Sequence, residues 1–391
     1  MIDYTSIINK EVLEIKPSGI RKFFDIAETM DDVISLGVGE PDFPTPWNIR
    51  NAGIRSLEQS KTRYTSNSGL EKLRDEISRF LKRKYNLKYC GKDEILVTVG
   101  GSEGIDACIR ALVSPGDEVI IPHPSYVCYE PITRLAGGVP VIIETKAENE
   151  FRVTADELKS KITDKTKVLI LPYPCNPTGA IMGKKDLEEI AEVLKNTNVI
   201  VLSDEIYSEL TFGDEKHVSI ASIDGMQERT VVINGFSKAF SMTGWRLGYA
   251  CGPKEIIKQI TKIHQFAIMC APTTSQYAAI EALKNTDDAV EKMLEEYDSR
   301  RRMIVKGFND LGLTCREPKG AFYAFPSIQS TGMTSDEFCE KLLLSKKVAL
   351  VPGTAFGLGG EGFVRASYCY SVEHINEALQ RIKDFLAEIG A

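Results

Sequence analysis

A lysine and an arginine follow a run of β-branched residues in the middle of the chain. Val231–Ile233 is typical of the end of a buried strand, and Ser237, Lys238 and Arg246 follow it. A partly desolvated lysine has a lowered pKa, and its neutral amine can form a Schiff base with an aldehyde. The Ser237 hydroxyl and the Arg246 guanidinium could hold a phosphate beside that amine. Taken alone, the Ser-Lys dipeptide is better explained by a lysine that reaches solvent and by a structural arginine, so the interpretation depends on the rest of the chain.

Two other apolar segments also end in polar residues. Asn176 follows Val168–Leu171, and Asp204 and Tyr207 follow Val199–Leu202. Apolar strands alternate with amphipathic helices through this region. That pattern predicts an α/β fold, with a mostly parallel sheet covered by helices on both faces. Ligands bind beyond the carboxyl ends of such strands, so these polar groups are expected at one site.

A glycine turn and a tyrosine extend the candidate site. Near residue 100 a predicted strand turns into a helix, and Gly101, Ser102 and Glu103 offer backbone N–H groups where phosphate is favoured. Tyr126 follows a later strand and can stack on a planar ring. Each signal is weak by itself, because many such turns bind nothing and many tyrosines belong to the core.

Composition limits the class of protein. The chain has 391 residues, enough for two unequal domains, and its net charge of -7 argues against nucleic acid as a partner. Nine scattered cysteines without a C-x-x-C spacing, with only four histidines, predict neither a disulfide framework nor a metal site. The N-terminal residues do not resemble a signal peptide, and no stretch is apolar enough to span a membrane. A cytoplasmic protein is expected.

The alternation of strands and helices ends near residue 285. A long helix, three short strands and two further helices then predict a smaller α+β unit. We therefore predict a large domain at 46–284 and a small domain built from 1–45 and 285–391. The predicted strands of the small unit are Ala321–Phe325, Val348–Val351 and Phe363–Tyr368.

Four shorter segments have local signals of their own. A helix is expected near Ser18–Met30, and Ile34–Pro46, with three prolines and two glycines, is expected to form a shaped loop. Ser68 and Glu71 match the spacing of a capping box. Gly357–Gly362 matches G-x-G-x-x-G, but the segment after it reads as a strand instead of a helix. We therefore interpret it as a turn and not as a dinucleotide site.

The candidate residues have a common use with a pyridine-aldehyde cofactor. Lys238 could carry the aldehyde, and Asp204 beside the ring nitrogen would keep that nitrogen protonated. Tyr207 and Asn176 could hydrogen-bond the phenolic oxygen. A protonated ring withdraws electrons and so stabilises negative charge at the substrate α-carbon, which is the chemistry of amino-acid enzymes.

The chain resembles the fold-type I pyridoxal-phosphate aminotransferases of classes I and II, in the branch with bacterial aspartate and aromatic aminotransferases. The resemblance runs from about Ile34 to Tyr368, and its most specific pieces are Asn176-Pro-Thr-Gly, Ser203-Asp-Glu-Ile-Tyr207 and Ser237-Lys-Ala-Phe-Ser-Met-Thr-Gly-Trp-Arg246. It implies that Lys238 carries pyridoxal 5'-phosphate and moves a proton as general base and acid in a ping-pong reaction.

The resemblance also implies substrate and subunit contacts. Arg365 matches the arginine that binds the substrate α-carboxylate, and Gly39 and Asn176 match positions near it. Tyr64 matches a tyrosine that reaches the phosphate of the neighbouring subunit, which implies a homodimer with shared sites. Without the resemblance, Arg365 reads as a surface residue on an alternating strand.

The substrate class stays open at the level of sequence. Some aspartate-preferring members of the family carry a lysine in the phosphate turn, where this chain has Ser102. Aspartate and aromatic or neutral amino acids are comparable donors, with 2-oxoglutarate as the expected acceptor. A carbon–sulfur β-lyase would use the same residues. The ligand-binding domain of a transcription regulator is disfavoured, because no basic helix-turn-helix precedes the first motif.

Overall fold

The computed structural model describes residues 2–17, 19 and 30–390. The helix predicted near Ser18–Met30 falls almost entirely outside the described residues. Over the described part of the chain the α-helices are α1 Lys10–Glu14, α2 Trp47–Glu58, α3 Glu71–Tyr85, α4 Gly100–Leu112, α5 Tyr129–Leu135, α6 Ala155–Lys161, α7 Lys184–Leu194, α8 Lys254–Ala267, α9 Thr273–Asn285, α10 Asp287–Asp310, α11 Ser335–Lys346 and α12 Val372–Ile389. Short 3-10 helices lie at Tyr4–Ser6, Ala147–Asn149, Ile220–Ser222, Gln227–Arg229, Gln329–Thr331 and Gly353–Phe356.

A seven-stranded sheet forms the centre of the fold. Its strands are β2 Ile95–Thr98, β3 Glu118–His123, β4 Val139–Glu144, β5 Thr166–Leu171, β6 Ile200–Asp204, β7 Thr230–Gly235 and β8 Gly248–Cys251. The spatial order is β2-β8-β7-β6-β5-β3-β4, and β3 to β7 pair in parallel. The expected mostly parallel sheet is confirmed. The four-residue β8, which was not predicted, runs antiparallel to both of its neighbours.

Helices cover both faces of this sheet. Along β5, Val168 packs in the core shared with α4 and α8, whereas Leu169 packs in the core shared with α7. Successive side chains of a strand point to opposite faces. A strand buried on both faces must therefore be apolar at nearly every position, which explains the continuous apolar runs in the sequence.

Two small sheets lie outside the central one. β1 (Ile34–Ser35) pairs in parallel with β10 (Val348–Ala349), and β9 (Tyr323–Ala324), β11 (Val351–Pro352) and β12 (Val364–Ser367) form an antiparallel sheet in the order β11-β12-β9. The strand predicted at Val348–Val351 is thus two strands in different sheets. The segment predicted as a loop at Ile34–Pro46 begins with the two residues of β1.

Three further observations bear on the expectations from sequence. Thr334 forms a capping box with Glu337 at the start of α11. All nine cysteines are free thiols. Within the described residues, no helix combines the length and the apolar character that a membrane crossing requires.

Candidate active site

A cavity of about 410 Å³ gathers most of the candidate residues. The parallel register places the ends of β5, β6 and β7 side by side, with Leu171 opposite Ser203 and Asp204 opposite Ile233. The polar groups that follow these strands therefore open onto one space. Its lining includes Gly39, Gly101, Ser102, Tyr126, Asn176, Asp204, Tyr207, Ser237, Lys238, Arg246 and Arg365.

Lys238 lies in the loop after β7, with its ammonium group turned inward. Its Nζ donates a hydrogen bond of 2.6 Å to the carbonyl oxygen of Gly39 and lies 5.7 Å from the centre of the Tyr207 ring. Burial lowers the pKa of Lys238 to about 8, and the positive charge of Arg365 acts in the same direction. Glu40 and Cys369 oppose this shift. The neutral amine is therefore far more populated than on a lysine in water.

Asp204 ends β6 and is buried. The Tyr129 hydroxyl donates to its Oδ2 at 2.7 Å, and the backbone N–H of Ile206 donates to its Oδ1 at 3.2 Å. Burial raises the pKa of Asp204 to about 6, although both hydrogen bonds favour the anion. A cation at the cavity side of this carboxylate would complete its surroundings.

The neighbouring Glu205 is fully buried in a separate polar cluster. It accepts hydrogen bonds from the hydroxyls of Ser203 (2.8 Å) and Ser219 (2.6 Å), and its other oxygen lies 2.9 Å from His217 Nε2. Adjacent strand residues face opposite sides of the sheet, so the two carboxylates have different partners. Of these two adjacent carboxylates, Asp204 is the one that lines the cavity.

Arg365 is buried on β12, with 3% of the residue exposed, so the reading as a surface residue was wrong. Its Nη1 donates to Asn176 Oδ1 at 2.9 Å, and its Nη2 donates to the carbonyl oxygen of Gly37. Its Nε is buried without a hydrogen-bond partner. Among the described residues no carboxylate pairs with this guanidinium, which is costly for a buried charge unless a ligand supplies the anion.

The first turn of α4 lies against Arg246. A side chain at Gly100 would come within 2.6 Å of Arg246 Nη2, and Gly100 also has φ +76°. Arg246 itself has φ +49°, a strained conformation for a residue with a Cβ. A guanidinium beside the positive end of a helix dipole is unfavourable alone but becomes favourable when an anion lies between them. Gly101, Ser102 and Ser237 also line the cavity.

Two candidate residues lie outside this lining. Glu103 uses its side chain to accept from the N–H of Val99 at 2.7 Å and to contact His264 Nδ1 at 2.8 Å. Its carboxylate therefore caps α4, and the sequence prediction concerned only its backbone N–H. Tyr64 is 81% exposed, away from the cavity of its own subunit.

Sequence reasoning missed two tyrosines of this cavity. Tyr129 holds Asp204, and the Oη of Tyr323 lies 2.8 Å from the Oη of Tyr207. Tyr129 follows Tyr126 by three residues, and the two rings form an edge-to-face pair with centroids 5.9 Å apart. That spacing was an available signal, whereas Tyr323 sits in a short apolar strand that resembles ordinary core.

The arrangement fits a phosphorylated pyridine aldehyde. Lys238 supplies an amine with a lowered pKa, and Asp204 supplies a buried carboxylate to which no cation is bonded among the described residues. The start of α4 and Arg246 supply a site for an anion. Arg365 supplies a second, separate site with an unsatisfied donor. The residues of the cavity can thus hold both ends of such a molecule and a carboxylate beside it.

Comparison with known proteins gives a consistent result. The family model described as aminotransferase class I and II matches residues 31–382. A putative aminotransferase, YugH, of Bacillus subtilis is 55% identical, over 98% of this chain and 99% of its own, and an aspartate aminotransferase of Pyrococcus abyssi is 49% identical, over 96% and 97%. The solved structure of an aromatic aminotransferase from Pyrococcus horikoshii matches with a TM-score of 0.90 and 47% identity, over 94% of this chain and 99% of that one.

Proposed function

The chain belongs to the class I and II aminotransferases, and from this we propose which of its residues carry the reaction and which amino acids it accepts. Members of this family use pyridoxal 5'-phosphate, and the protein is an enzyme that moves an amino group between amino acids and 2-oxoacids. When bound, the cofactor supplies an electrophilic aldehyde carbon and a ring that draws electrons from the substrate α-carbon.

Lys238 is assigned as the residue that holds the cofactor and then moves the proton. Its pKa of about 8 leaves roughly a tenth of the amine neutral at pH 7, against less than a thousandth for an ordinary lysine. Once displaced from the cofactor, the Nζ can take a proton from the substrate α-carbon and return it elsewhere. The contact with Gly39 holds the side chain in the cavity.

Four further residues are assigned to the ring. Asp204 pairs with the protonated ring nitrogen, and Tyr207 and Asn176 hydrogen-bond the phenolic oxygen. Tyr126 stacks on the ring face. The phosphate is assigned to the start of α4 and to the loop after β7. The residues that hold it there are Gly101, Ser102, Glu103, Ser237 and Arg246. The partner subunit's Tyr64 is assigned to the same phosphate.

Arg365 is assigned to the substrate α-carboxylate, with Gly39 and Asn176 beside it. Its unpartnered Nε supports this assignment, because a carboxylate would satisfy that donor. Lys238 and Arg246 are already committed to the cofactor. Among the described residues that line the cavity of one subunit, no further cation is therefore left for a second carboxylate. We propose that aromatic and neutral amino acids are donors and that 2-oxoglutarate is the acceptor. The second carboxylate of 2-oxoglutarate, glutamate or aspartate then needs a cation from outside this lining, such as one supplied by the partner subunit.

The observation that carries this proposal is the convergence of Lys238, Asp204 and Arg365 on one cavity. A panel of half-reactions tests it. Each amino acid is mixed with holoenzyme in the absence of an oxoacid, and conversion of the bound cofactor to its amine form is followed by absorbance. We expect glutamate and phenylalanine to convert it and the Arg365→Lys variant to convert it more slowly. Lack of conversion by every α-amino acid would overturn the proposal.

We also propose a homodimer. Large apolar side chains are exposed on neighbouring segments, including Trp47 on α2 (61%), Phe266 at the end of α8 (87%) and Met269 beyond it (47%). The Asn67 side chain donates to the Met269 carbonyl oxygen at 2.8 Å, which places the loop of Tyr64 against this region. Burial of such a patch by a second copy would remove it from water and bring Tyr64 to the other subunit.

The remaining proposals concern location and domains. Nine free cysteines suit a reducing compartment, which supports a cytoplasmic protein. The division into 46–284 and into 1–45 with 285–391 is supported by the pairing of β1 with β10, which joins the two ends of the chain. Limited proteolysis would test the division, since cleavage should concentrate near residues 45 and 285.

A further inference from the structure

Tyr323 contacts two groups of the active site at once. It is buried on β9, and its hydroxyl oxygen lies 2.8 Å from that of Tyr207. The face of its ring lies against the Arg365 guanidinium, with 4.4 Å between Cζ and the ring centre. Antiparallel pairing of β9 with β12 explains the position, because Tyr323 is opposite Ser367, two residues beyond Arg365 on the same strand.

The chemistry of the two hydroxyls decides which one donates. Burial raises the pKa of Tyr323 to about 12, and the nearby charge of Arg365 limits that rise. Burial raises the pKa of Tyr207 well beyond its usual 10. By distance alone either hydroxyl could be the donor. A hydroxyl has a single hydrogen, and Tyr207 is proposed to donate its own to the phenolic oxygen of the cofactor, so Tyr207 accepts from Tyr323. The hydrogen of Tyr207 is then free to point into the cavity.

We propose that Tyr323 is a positioning residue of this active site. Its hydroxyl donates to Tyr207 and thereby strengthens the hydrogen bond that Tyr207 donates to the phenolic oxygen of the cofactor. Its ring supports the guanidinium of Arg365 in the orientation that binds the α-carboxylate. The inference rests on the proposed roles of Tyr207 and Arg365, and it links the two through one side chain.

The surroundings of Tyr323 hold its ring in this position. The ring packs edge-on against Phe322 and Tyr207, with centroids 5.0 and 5.9 Å away. On another side it lies against Gly39, where an added Cβ would collide with the tyrosine hydroxyl. The ring is thus confined by Tyr207, Arg365 and the backbone of Gly39, whose carbonyl oxygen accepts the hydrogen bond from Lys238.

The hydroxyl is tested by Tyr323→Phe, which keeps the ring. The holoenzyme is titrated, and the pH midpoint of the visible absorbance change of the bound cofactor is compared with that of the unaltered protein. Weaker donation from Tyr207 leaves the phenolic oxygen of the cofactor more basic. The titrating proton of the bound cofactor, which hydrogen-bonds to this oxygen, is therefore lost only at a higher pH. We expect the midpoint to rise by about half a pH unit or more. An unchanged midpoint with cofactor retained would overturn the proposal.

The same substitution made in a Tyr207→Phe variant shows whether Tyr323 acts on the cofactor through Tyr207 or directly. In Tyr207→Phe, the additional change Tyr323→Phe should leave the midpoint where the single Tyr207 variant has it. An equal shift in both backgrounds would contradict the relay. Failure of the unaltered protein to bind cofactor at Lys238 would instead contradict the proposed function, so the two failures are distinguishable.

The support that the Tyr323 ring gives to Arg365 is tested with a ligand that has a carboxylate but no amine. Binding of 3-phenylpropanoate to holoenzyme is measured by its perturbation of the cofactor spectrum. Tyr323→Phe should bind it within about twofold of the unaltered protein, whereas Tyr323→Leu should bind it at least about fivefold more weakly. Tyr323→Met, an unbranched alternative, repeats the comparison in case the leucine variant is not folded. Unchanged binding in a folded variant without the ring would refute the support of Arg365.

Discussion

Lys238 is held as an ammonium donor to a carbonyl oxygen while its burial favours loss of that proton. With a pKa of about 8, the neutral fraction grows about tenfold between pH 6 and pH 7 and levels off above about pH 8. We expect the rate of acylation of Lys238 in cofactor-free protein, followed by mass spectrometry, to show this profile. An unperturbed lysine, for which the usual pKa is about 10.4, should still gain reactivity at pH 10.

A second prediction is that Lys238 is the lysine to which the cofactor is covalently bound. Reduction of the holoenzyme with borohydride and digestion should place the pyridoxyl group on the peptide that contains Lys238. A pyridoxyl group on any other lysine would show that the assignment of Lys238 is wrong.

Arg365→Lys separates charge from geometry at the carboxylate site. Lysine keeps the positive charge but lacks the planar pair of donors. Each charge-assisted hydrogen bond lost should cost about 1.5–3 kcal/mol for every amino acid and oxoacid alike. Decarboxylated amines should be little affected, so kcat/KM is compared for an amino acid and its amine in both proteins. A change confined to side-chain preference would mean that Arg365 selects side chains instead.

Tyr129→Phe tests the support of Asp204. The tyrosine hydroxyl stabilises the carboxylate anion, so its removal should raise the pKa of Asp204 above about 6. A carboxylate that must be ionised then loses its charge at a higher pH, so the acid limb of kcat against pH should move upward. We expect kcat at pH 6 to fall more than kcat at pH 8. A uniform loss at both pH values would indicate a structural role.

The residues that sequence could identify share one property. Asn176, Asp204 and Lys238 lie at or just beyond the carboxyl ends of apolar strands, so the sheet alone brings them together. Tyr323 and the burial of Arg365 could not be inferred from pattern, because both depend on how β9 and β12 pack against the larger sheet. Local periodicity contains no information about that packing.

At the scale of elements, the N-terminus of α3 is stabilised by a different contact from the capping box that the sequence predicted. Ser68 and Glu71 were expected to form a capping box, but the helix begins at Glu71 with no side-chain cap. The N–H of Leu70 donates instead to Gln276 Oε1 on α9 at 2.7 Å. Gln276 also donates to the Ala271 carbonyl oxygen at 2.9 Å, so a fully buried side chain joins three segments.

Removal of this amide should be costly. Gln276→Leu leaves the N–H of Leu70 and the carbonyl oxygen of Ala271 without partners, and each buried unsatisfied group costs about 1–3 kcal/mol. We expect the free energy of unfolding in urea, measured with saturating cofactor, to fall by about 2–4 kcal/mol. The matched control is Gln259→Leu on the exposed face of α8, which should stay within about 0.5 kcal/mol. Equal losses would show that Gln276 has no special role.

At the scale of the whole molecule, association can be tested on the exposed patch. Phe266→Asp places a charge where the proposed interface buries an aromatic ring, so sedimentation should show a shift from dimer toward monomer. The control is Leu344→Asp on α11, a residue 59% exposed outside that patch. If Tyr64 serves the partner's phosphate, Phe266→Asp should also weaken cofactor binding. A dimer with unaltered cofactor affinity would contradict the proposed arrangement.

The alternation of strands and helices predicted the central sheet of the molecule but not how its ends meet. Long apolar runs require burial on both faces, so β3, β5, β6 and β7 were recognisable. The pairing of β1 with β10 involves two residues from each end of the chain, and such short strands have no periodicity to read. Four-residue β8, with a glycine at its start, was missed for the same reason.

The contact between Gly39 and Tyr323 constrains how this sequence can change over generations. A mutation that adds any side chain at position 39 meets the tyrosine hydroxyl at once, whereas the same mutation is tolerable after position 323 has become small. The order of the two changes therefore matters, because a substitution of Gly39 is not tolerated before position 323 has changed. Among related sequences, residues other than glycine at position 39 should occur only together with a small residue at position 323.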